Sequence, residues 1–358
     1  MKQILASLAL LAATCGPAVT QEALPSAALE TQAAPKLRIG VRSYARPFSY
    51  KSTKVPENIS ISTGAGPIRA AGFDGYLVYI CDEVLKQMLI DQQDAPRFVS
   101  SQIEVKDVDA LMAAKREAFP DTQFEFDRLG LLGPEIDILC DPASISAERV
   151  KRFAVSPPLF IAGIGYLTLK GAIPPQVACR RDSALIGFVG ATNAASQGIR
   201  TIVNAGEWRN VKSEITAALR DSGSGESSCK PPGGIDGQGG IFWAGNNHEE
   251  VARRFCSGEI SYYVGDLEII TEHANAIPGC DFTSGAKSFT TDRYAIFSKL
   301  DYREDPEKAL LIGRFYEVLS REIATSASLL DRAFIATFGE TRRSQKLELF
   351  FWSMRGQP

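Results

Sequence analysis

The sequence predicts an α/β fold, and three observations lead to this prediction. Short apolar runs that alternate as in β-strands, beginning with residues 37–41, recur along the chain. Between them lie segments whose apolar residues return at three- and four-residue steps, as in amphipathic helices. The chain has 358 residues, of which 45% are hydrophobic and 23% are charged, enough for two units with cores of their own. The net charge of −3 gives no electrostatic reason to expect nucleic acid or an anionic membrane as a partner.

Residues 1–20 have the order of a secretory signal peptide. Lys2 precedes an apolar run over residues 4–13, and small residues follow Cys15 up to the predicted cleavage site after Thr20. The apolar run is too short to span a bilayer. We therefore expect export to the periplasm. A lipid anchor on Cys15 is the less favoured alternative, because the residues before it depart from a lipoprotein signal.

Export changes the interpretation of the cysteines. Loss of Cys15 with the signal peptide leaves an even set, which favours disulfides in an oxidising compartment. There is no Cys-x-x-Cys pair, and His248 and His273 are the only histidines, so a zinc site is poorly supported. We expect no metal and no cofactor. The remaining cysteines are Cys81, Cys140, Cys179, Cys229, Cys256 and Cys280.

The first elements of the fold follow a spacer. Residues 21–36 are rich in Ala, Glu, Gln and Pro and predict a flexible spacer, so order is predicted to begin with the strand at residue 37. Residues 72–75 predict a turn, which opens a helix with apolar residues at helical steps from Leu77 to Met88.

The rest of the chain alternates between predicted strands and predicted helices. Asp305 and Pro306 supply an N-cap and a first-turn proline for a long helix. Residues 221–240 contain Ser and Gly clusters and predict a surface loop. Predicted strands cover residues 136–140, 161–169, 185–189, 260–264 and 294–297, and predicted helices cover residues 193–203, 211–220, 249–256 and 266–275.

Four segments are informative because they occur together and in a fixed order. In the third, a strand leads into Ser144, Ser146 and Arg149, and then into Phe153 and residues 156–160. This set resembles the amino-acid type of bacterial extracellular solute-binding proteins, kin to the ligand cores of glutamate receptors. Their pattern is a strand, Ser/Thr-x-Ser/Thr-x-x-Arg and Phe-Ser-x-Pro. The four segments are residues 40–50, 72–76, 137–160 and 186–192, the last followed by residues 258–266.

The resemblance implies a two-lobed fold like that of periplasmic binding proteins, in which two hinge strands join two mixed sheets flanked by helices. It implies lobe 1 over residues 37–160 and 291–358, and lobe 2 over residues 161–290. A protein of this kind is the substrate-binding component of an amino-acid ABC transporter. It is expected to be a monomer without catalytic activity that closes on an amino acid or related carboxylate and delivers it to an inner-membrane permease.

Arg149 and Asp266 are the first ligand-binding residues that the resemblance implies. Arg149 offers a planar fork of donors that matches a carboxylate, and the Ser144 hydroxyl can add a hydrogen bond. Thr192 stands at a predicted helix N-terminus, where backbone N–H groups favour anions. Asp266 can pair with an ammonium group, so that Arg149 and Asp266 present opposite charges to a zwitterion. The alternatives are a solvated arginine and simple N-cap roles for Thr192 and Asp266.

Four further residues complete the candidate site. Arg42 stands where the resemblance implies an acidic side chain on the ligand, with a solvated arginine as an equal alternative. Tyr44 and Phe124 are candidates for packing on the aliphatic part of the ligand, although local core packing is the favoured role for both. Pro142 lies within the third segment and belongs to the implied ligand-binding set. The ligand expected on this basis is an acidic or polar amino acid.

The resemblance also limits how the cysteines can pair. It places Cys81 and Cys140 together in lobe 1, which implies a disulfide between them. The other four fall in lobe 2, where three pairings are open. The pairing that we favour joins Cys179 to Cys229 and Cys256 to Cys280.

Two other functions stay open. A periplasmic dehydratase of prephenate-type substrates resembles the same family, and such an enzyme needs a general acid or base. His273, Glu268 and Glu272 lie near Asp266 in the sequence and could supply one, but no nucleophile–base pair is visible. The other function is that of an accessory binding protein for a periplasmic oxidoreductase, or of a sensor.

Overall fold

A computed structural model of the protein describes residues 35–52, 64–91, 98–118, 128–171, 184–189, 192–220, 240–245, 247–285, 288–324, 329–339 and 345–354. The strands are β1 (Leu37–Val41), β2 (Tyr44–Ala45), β3 (Ser49–Lys51), β4 (Phe73–Asp74), β5 (Ile103–Asp107), β6 (Ile138–Ser144), β7 (Ala154–Val155), β8 (Phe160–Ala162), β9 (Ile164–Leu169), β10 (Ala184–Val189), β11 (Gly240–Gly245), β12 (Ile260–Asp266), β13 (Phe282–Ser284) and β14 (Asp292–Ser298). The helices are α1 (Pro67–Ala70), α2 (Tyr76–Ile90), α3 (Val108–Ala118), α4 (Ala147–Arg152), α5 (Thr192–Asn204), α6 (Lys212–Arg220), α7 (His248–Cys256), α8 (Leu267–Asn275), α9 (Pro306–Ala324), α10 (Leu329–Phe338) and α11 (Gln345–Met354).

Lobe 1 is built on a sheet with the strand order β5-β1-β6-β14-β7, to which β8 is added by pairing with β14. Strand β1 runs parallel to β5 and β6, whereas β14 runs antiparallel to β6. Helix α2 packs against α9 and α10 and buries Leu77, Ile80, Val84 and Met88 completely in the core of this lobe. The helix and the apolar face predicted for it are therefore confirmed.

Lobe 2 is built on a second sheet, with the strand order β11-β10-β12-β9-β13. Strand β10 is parallel to β11 and β12, whereas β9 is antiparallel to β12 and β13. Successive residues of β12 serve opposite faces, as the pleat of a strand requires. Tyr262 packs with Ile199 in one cluster, and Tyr263 packs with Val251 in the other. The protein thus has the α/β fold with two mixed sheets that the sequence predicts.

Two strands that lie side by side join the lobes. Strand β8 leaves lobe 1 and pairs antiparallel with the first residues of β14, which returns from lobe 2, so that Ala162 lies opposite Asp292. Gly163 follows β8, and a Cβ atom there would collide with Ser288 and Thr290 of the returning chain. The chain turns at this point, and the single strand predicted here is therefore divided into β8 and β9.

The segment before α2 also differs from the predicted turn. Phe73 and Asp74 form strand β4, which pairs with β3. Gly75 then adopts a φ of +124°, and a Cβ atom there would lie 2.6 Å from the carbonyl group of Phe48. Only glycine fits such a close approach at a positive φ, so this segment is held tightly against lobe 1.

The N-terminus of α9 has the cap that the sequence predicts. The Asp305 carboxylate accepts a hydrogen bond from the backbone N–H of Lys308 at 3.1 Å, and Pro306 is the first helical residue. This cap satisfies one of the N–H groups that a helix N-terminus leaves without a partner. It fixes the start of the helix whose Phe315 and Val318 fill the core of lobe 1.

Two of the expected disulfides are present. Cys81 of α2 is bonded to Cys140 of β6, and Cys256 is bonded to Cys280 in lobe 2. Both pairings are therefore confirmed, whereas Cys179 and Cys229 lie outside the described residues. Among the helices that the structure describes, none is long and apolar enough to cross a membrane.

Removal of the Cys81–Cys140 disulfide is expected to destabilise the protein strongly. The bond spans 59 residues of sequence, and cross-links of this length contribute about 2–5 kcal/mol to the free energy of unfolding. The measurement is urea unfolding of the Cys81→Ala/Cys140→Ala variant under non-reducing conditions. The Cys256→Ala/Cys280→Ala variant is the comparison, and it should lose about 1 kcal/mol less because its bond spans only 24 residues. An unchanged urea midpoint in the first variant would contradict the expectation.

Candidate functional site

The candidate site lies at the edge of lobe 1 where parallel strands end. Ser144 is the last residue of β6, and Arg42 follows β1 directly. Because β1 and β6 are parallel, their carboxyl ends meet at one edge of the sheet. In open α/β sheets, ligands bind at this edge.

Arg149 is held next to the end of β6 by two hydrogen bonds. Its guanidinium Nη1 donates to the Ser144 carbonyl at 2.8 Å, and its backbone N–H donates to the Ser146 hydroxyl at 3.3 Å. Ser146 is thus the N-cap of α4. The side chains of Ser144 and Arg149 are both half-buried. The guanidinium therefore sits beside the end of the strand with part of its surface exposed.

Arg42 lies among carboxylates of its own lobe. Its Nε atom donates to Asp109 at 3.0 Å and lies 4.0 Å from an Asp141 oxygen, and the side chain is only 13% exposed. The second oxygen of Asp109 accepts the backbone N–H groups of Ser43 and Tyr44. Burial lowers the pKa of Arg42, but the neighbouring negative charges outweigh it and the pKa is raised. Arg42 is therefore neither solvated nor without a counter-ion.

Asp141 and Arg128 form an ion pair that the analysis of the sequence did not identify. Asp141 is completely buried within β6, and the Arg128 Nε atom lies 2.5 Å from its Oδ2 atom. Arg128 also donates to the carbonyl of Pro142 at 2.7 Å, so that the buried Pro142 serves the site through its backbone. Burial raises the pKa of the Asp141 carboxyl, whereas Arg128, Arg42 and Arg149 act to lower it. The signal in the sequence was an acidic residue inside an apolar strand, since buried charges are almost always paired.

Asp266 ends β12 in lobe 2 and faces lobe 1. It occupies the N-cap position of α8, but its side chain does not cap the helix. Burial raises the pKa of Asp266 to about 6, although the nearby Tyr294 hydroxyl and the positive charge of Arg128 lower it. Both of these groups belong to lobe 1. The Asp266 carboxyl therefore interacts across the junction of the lobes rather than with its own helix.

Glu268 is a second acidic side chain near Asp266. Its Oε2 atom is buried, and no hydrogen-bond partner for it is present among the residues that the structure describes. Burial raises the pKa of Glu268 to about 7, the negative charge of Asp266 adds to the effect, and Lys346 of α11 opposes it. Both carboxyl groups of this pair are thus biased toward the neutral form.

The two histidines lie together in lobe 2. The rings of His248 and His273 are stacked with 5.4 Å between their centroids, and His248 Nδ1 forms a hydrogen bond with the Tyr263 hydroxyl at 2.8 Å. Burial lowers the pKa of His273 to about 4, and the positive charges of Arg46 and Arg42 in lobe 1 add to the effect. Both imidazoles are neutral at pH 7. Over the described part of the chain, no group of three or more His, Cys, Asp or Glu side chains is arranged to hold a metal ion.

The remaining candidates are placed as follows. Tyr44 is 45% exposed and so is not a core residue, although local packing was the favoured expectation for it. Thr192 is the first residue of α5, and the position of its side chain is not described. Phe124 lies outside the described residues. Arg42, Pro142, Ser144 and Arg149 therefore share one edge of lobe 1, and Asp266 of lobe 2 interacts with Arg128, the ion-pair partner of Asp141 at that edge.

Substitution of Glu268 by Gln is expected to change the pH dependence of stability. The folded-state pKa of about 7 lies above the ordinary 4.5, so the carboxyl contributes stability below pH 4.5 that is lost as the pH rises through 7. Relative to the wild type, Glu268→Gln should unfold with a similar free energy at pH 5 and a free energy higher by about 1–3 kcal/mol at pH 8.

Urea unfolding at the two pH values makes the measurement. The control is Glu249→Gln, because Glu249 is exposed and forms a surface ion pair with Arg253. A difference between Glu268→Gln and the wild type that does not change with pH would contradict the expectation.

Comparisons with known proteins bear on the fold. Neither a family model nor a curated protein matches the sequence. An ancestral arginine-binding protein bound to glutamine is 15% identical, with a TM-score of 0.50, and the match covers 86% of this chain and 100% of that one.

A second similar structure is the arginine-, lysine-, histidine-binding protein ArtJ from the thermophilic bacterium Geobacillus stearothermophilus. It is 16% identical, with a TM-score of 0.50, and the match covers 87% of this chain and 99% of that chain. At this level of identity the similarity concerns the fold alone. The protein has the two-lobed fold of the amino-acid-binding periplasmic proteins.

Proposed function

We propose that the protein is the substrate-binding component of an amino-acid ABC transporter. The observation that carries this proposal is the position of Arg149, which the Ser144 carbonyl holds at the edge of lobe 1 where β1 and β6 end. Asp266 of lobe 2 interacts with Tyr294 and Arg128 of lobe 1, so a guanidinium from one lobe and a carboxyl group from the other are available for the two charged groups of a zwitterion. The similar structures support the ligand class, since they are described as binding glutamine in one case and arginine, lysine and histidine in the other.

In the proposed complex, the planar guanidinium of Arg149 binds the ligand carboxylate with two hydrogen bonds. The Ser144 hydroxyl donates a further hydrogen bond to the same group. Thr192 begins α5, so the backbone N–H groups of that helix N-terminus can bind the carboxylate from lobe 2. Asp266 accepts the ammonium group of the ligand.

The side chain of the ligand meets a second set of residues. Tyr44, which is exposed two residues after Arg42, and Phe124 are proposed to pack on the aliphatic part of the ligand, while Pro142 supports the site through its carbonyl. Arg42 is the reason to propose an acidic or polar amino acid. Arg42 also forms ion pairs with Asp109 and Asp141. These pairs affect whether an acidic or an uncharged polar ligand side chain is favoured.

Closure of the lobes is the proposed means of binding. The paired strands β8 and β14 can act as the hinge, with lobe 1 over residues 37–160 and 291–358 and lobe 2 over residues 161–290. A ligand that contacts both lobes favours the closed form because only that form makes all the contacts. An inner-membrane permease would then recognise the closed, monomeric protein.

The periplasm is the proposed location. The pattern of residues 1–20 supports export through a signal peptide, although this segment lies outside the described residues. The disulfides Cys81–Cys140 and Cys256–Cys280 support the same location, because such bonds persist in oxidising compartments.

A second candidate function is catalysis, and one observation favours it. A carboxyl group with a pKa of about 7 and a buried oxygen, as found in Glu268, has the properties of a general base. Turnover of prephenate or arogenate by the wild type, lost in Glu268→Gln, would establish this function in place of transport.

Ligand binding is expected to depend on Arg149. The purified protein should gain thermal stability with one or a few amino acids, and Arg149→Ala should abolish the gain because it removes the carboxylate contact. Thermal shift with a panel of amino acids and related carboxylates makes the measurement. Arg152→Ala is the matched control, because Arg152 ends the same helix and its guanidinium lies over the Phe153 ring. A wild type that no amino acid or related carboxylate stabilises would exclude the transport function.

The affinity for the ligand is expected to decrease at acidic pH. The Asp266 carboxyl has a pKa of about 6, and only its ionised form attracts an ammonium group. Below pH 6 the dissociation constant should therefore rise by about tenfold per pH unit. Calorimetric titration between pH 5 and pH 8 makes the measurement. The Asp266→Asn variant should bind more weakly and without this pH dependence, and an Asp266→Asn variant that binds as the wild type does would show that Asp266 does not contact the ligand.

A further inference from the structure

The fully buried Asp141 is the feature of lobe 1 that the proposed contacts leave unexplained. Its carboxylate lies between two guanidinium groups, with Arg128 Nε at 2.5 Å from one oxygen and Arg42 Nε at 4.0 Å from the other. A third guanidinium, that of Arg149, is near enough to act on it electrostatically. The guanidinium groups that could bind an acidic ligand thus surround the carboxylate of Asp141, which belongs to the protein.

We propose that Asp141 determines ligand specificity by serving as a built-in counter-ion. It neutralises Arg42 and Arg128, so that the cleft accepts an amino acid with an uncharged side chain and rejects one with a second carboxylate. This inference rests on the proposed function, because it concerns the ligand of the same cleft. Arg42 alone suggests an acidic or polar amino acid as the ligand. The role proposed for Asp141 restricts the ligand to amino acids with a polar, uncharged side chain.

The two guanidinium groups have partners without any ligand. Arg42 also pairs with Asp109 at 3.0 Å, and Arg128 also donates to the Pro142 carbonyl at 2.7 Å. A ligand carboxylate that reached either arginine would have to compete with these acceptors. It would also approach the negative charge of Asp141, which is repulsive at such distances in a partly buried site.

Asp141 cannot move away to make room for a second carboxylate. It lies in β6 between Leu139 and Ala143, both of which pair with β14, and its side chain has no exposed surface. The preceding residue, Cys140, is fixed to α2 by its disulfide. The carboxylate therefore stays buried against Arg42 and Arg128 and acts on the cleft through the charge of these two arginines.

A cationic side chain is disfavoured by the same surroundings. Arg42 and Arg46 of lobe 1 both act electrostatically on His273 of lobe 2, and Arg42 and Arg128 act on His248. The arginines thus border the space between the lobes, and their charge opposes a lysine-like group. With Asp141 opposing anions and the arginines opposing cations, a neutral side chain is the ligand class that fits.

The chain offers a matched control for this idea. Asp137 directly precedes β6 and is 3% exposed, and it forms an equally close ion pair with Arg38, at 2.6 Å. It lies at the opposite end of the strand, beside a surface groove of about 370 Å³. Asp137→Asn therefore removes a comparable buried charge without altering the cleft.

The test compares L-glutamate with L-glutamine and L-aspartate with L-asparagine by calorimetry, alongside a thermal-shift panel of the common amino acids. Asp141→Asn keeps the shape of the side chain and leaves Arg42 and Arg128 with one negative charge fewer. The wild type should prefer an uncharged amino acid. Asp141→Asn should gain at least about tenfold in affinity for one of the two acids, whereas Asp137→Asn should gain nothing.

A second variant separates charge from shape and guards against loss of folding. Asp141→Asn combined with Arg128→Gln removes the ion pair as a whole, which is tolerated better than removal of one partner. This double variant should lose the gain for the acid, because no excess positive charge is left. Thermal melts without ligand establish that each variant is folded.

The outcomes separate the two proposals. A wild type that binds an uncharged amino acid, together with a folded Asp141→Asn variant that gains no affinity for either acid, overturns the role of Asp141 alone. The role of Asp141 is also overturned if the wild type binds L-glutamate as tightly as L-glutamine, or L-aspartate as tightly as L-asparagine. A wild type that binds no amino acid overturns the proposed function, and the specificity inference with it.

Discussion

The pairing of β8 with the start of β14 is the constraint on which the rest of the structure depends. The chain passes between lobe 1 and lobe 2 along these two strands, so their pairing helps to set which edges of the two sheets face each other. The edge at which β1 and β6 end thereby faces the end of β12. Tyr294, a residue of β14 itself, interacts with Asp266 at that end. The strand β14 therefore belongs both to the hinge and to the candidate site.

The two lobes contribute different ionisable groups to the cleft. Lobe 1 contributes arginines, several of which already pair with carboxylates of their own lobe. Lobe 2 contributes carboxyl groups whose pKa burial raises and imidazoles whose pKa burial lowers. Both of these shifts reduce the charge that lobe 2 carries when the lobes are close together. A zwitterion restores attraction on both sides, because it supplies an anion to lobe 1 and a cation to lobe 2.

The sequence was most informative where the signal is local. The apolar face of α2 and the Asp305 cap depend on residues within a few positions of each other, and the structure confirms both. The Cys81–Cys140 disulfide followed from the resemblance, because both residues fall in one lobe.

Contacts between distant segments could not be predicted in the same way. Arg42 meets Asp109 from a segment 67 residues later, and only the parallel pairing of β1 with β5 brings them together. The stacking of His248 on His273 likewise depends on how α7 and α8 pack against each other. Asp141 lies one residue beyond the strand predicted over residues 136–140, and both its burial in β6 and its pairing with Arg128 are decided by tertiary structure. These long-range ion pairs and ring contacts decide the electrostatics of the site.

Gly163 gives the hinge an unusual sensitivity. The two connections between the lobes approach so closely there that a single added methyl group would meet Ser288 and Thr290 of the returning chain. The Gly163 carbonyl also accepts the backbone N–H of Leu267 at 3.1 Å, and the next residue, Ile164, lies opposite Asp266 in the sheet of lobe 2. A methyl group at Gly163 would therefore disturb the hinge and the position of Asp266 together, so the balance between open and closed lobes cannot be altered at this residue without also changing a proposed ligand contact.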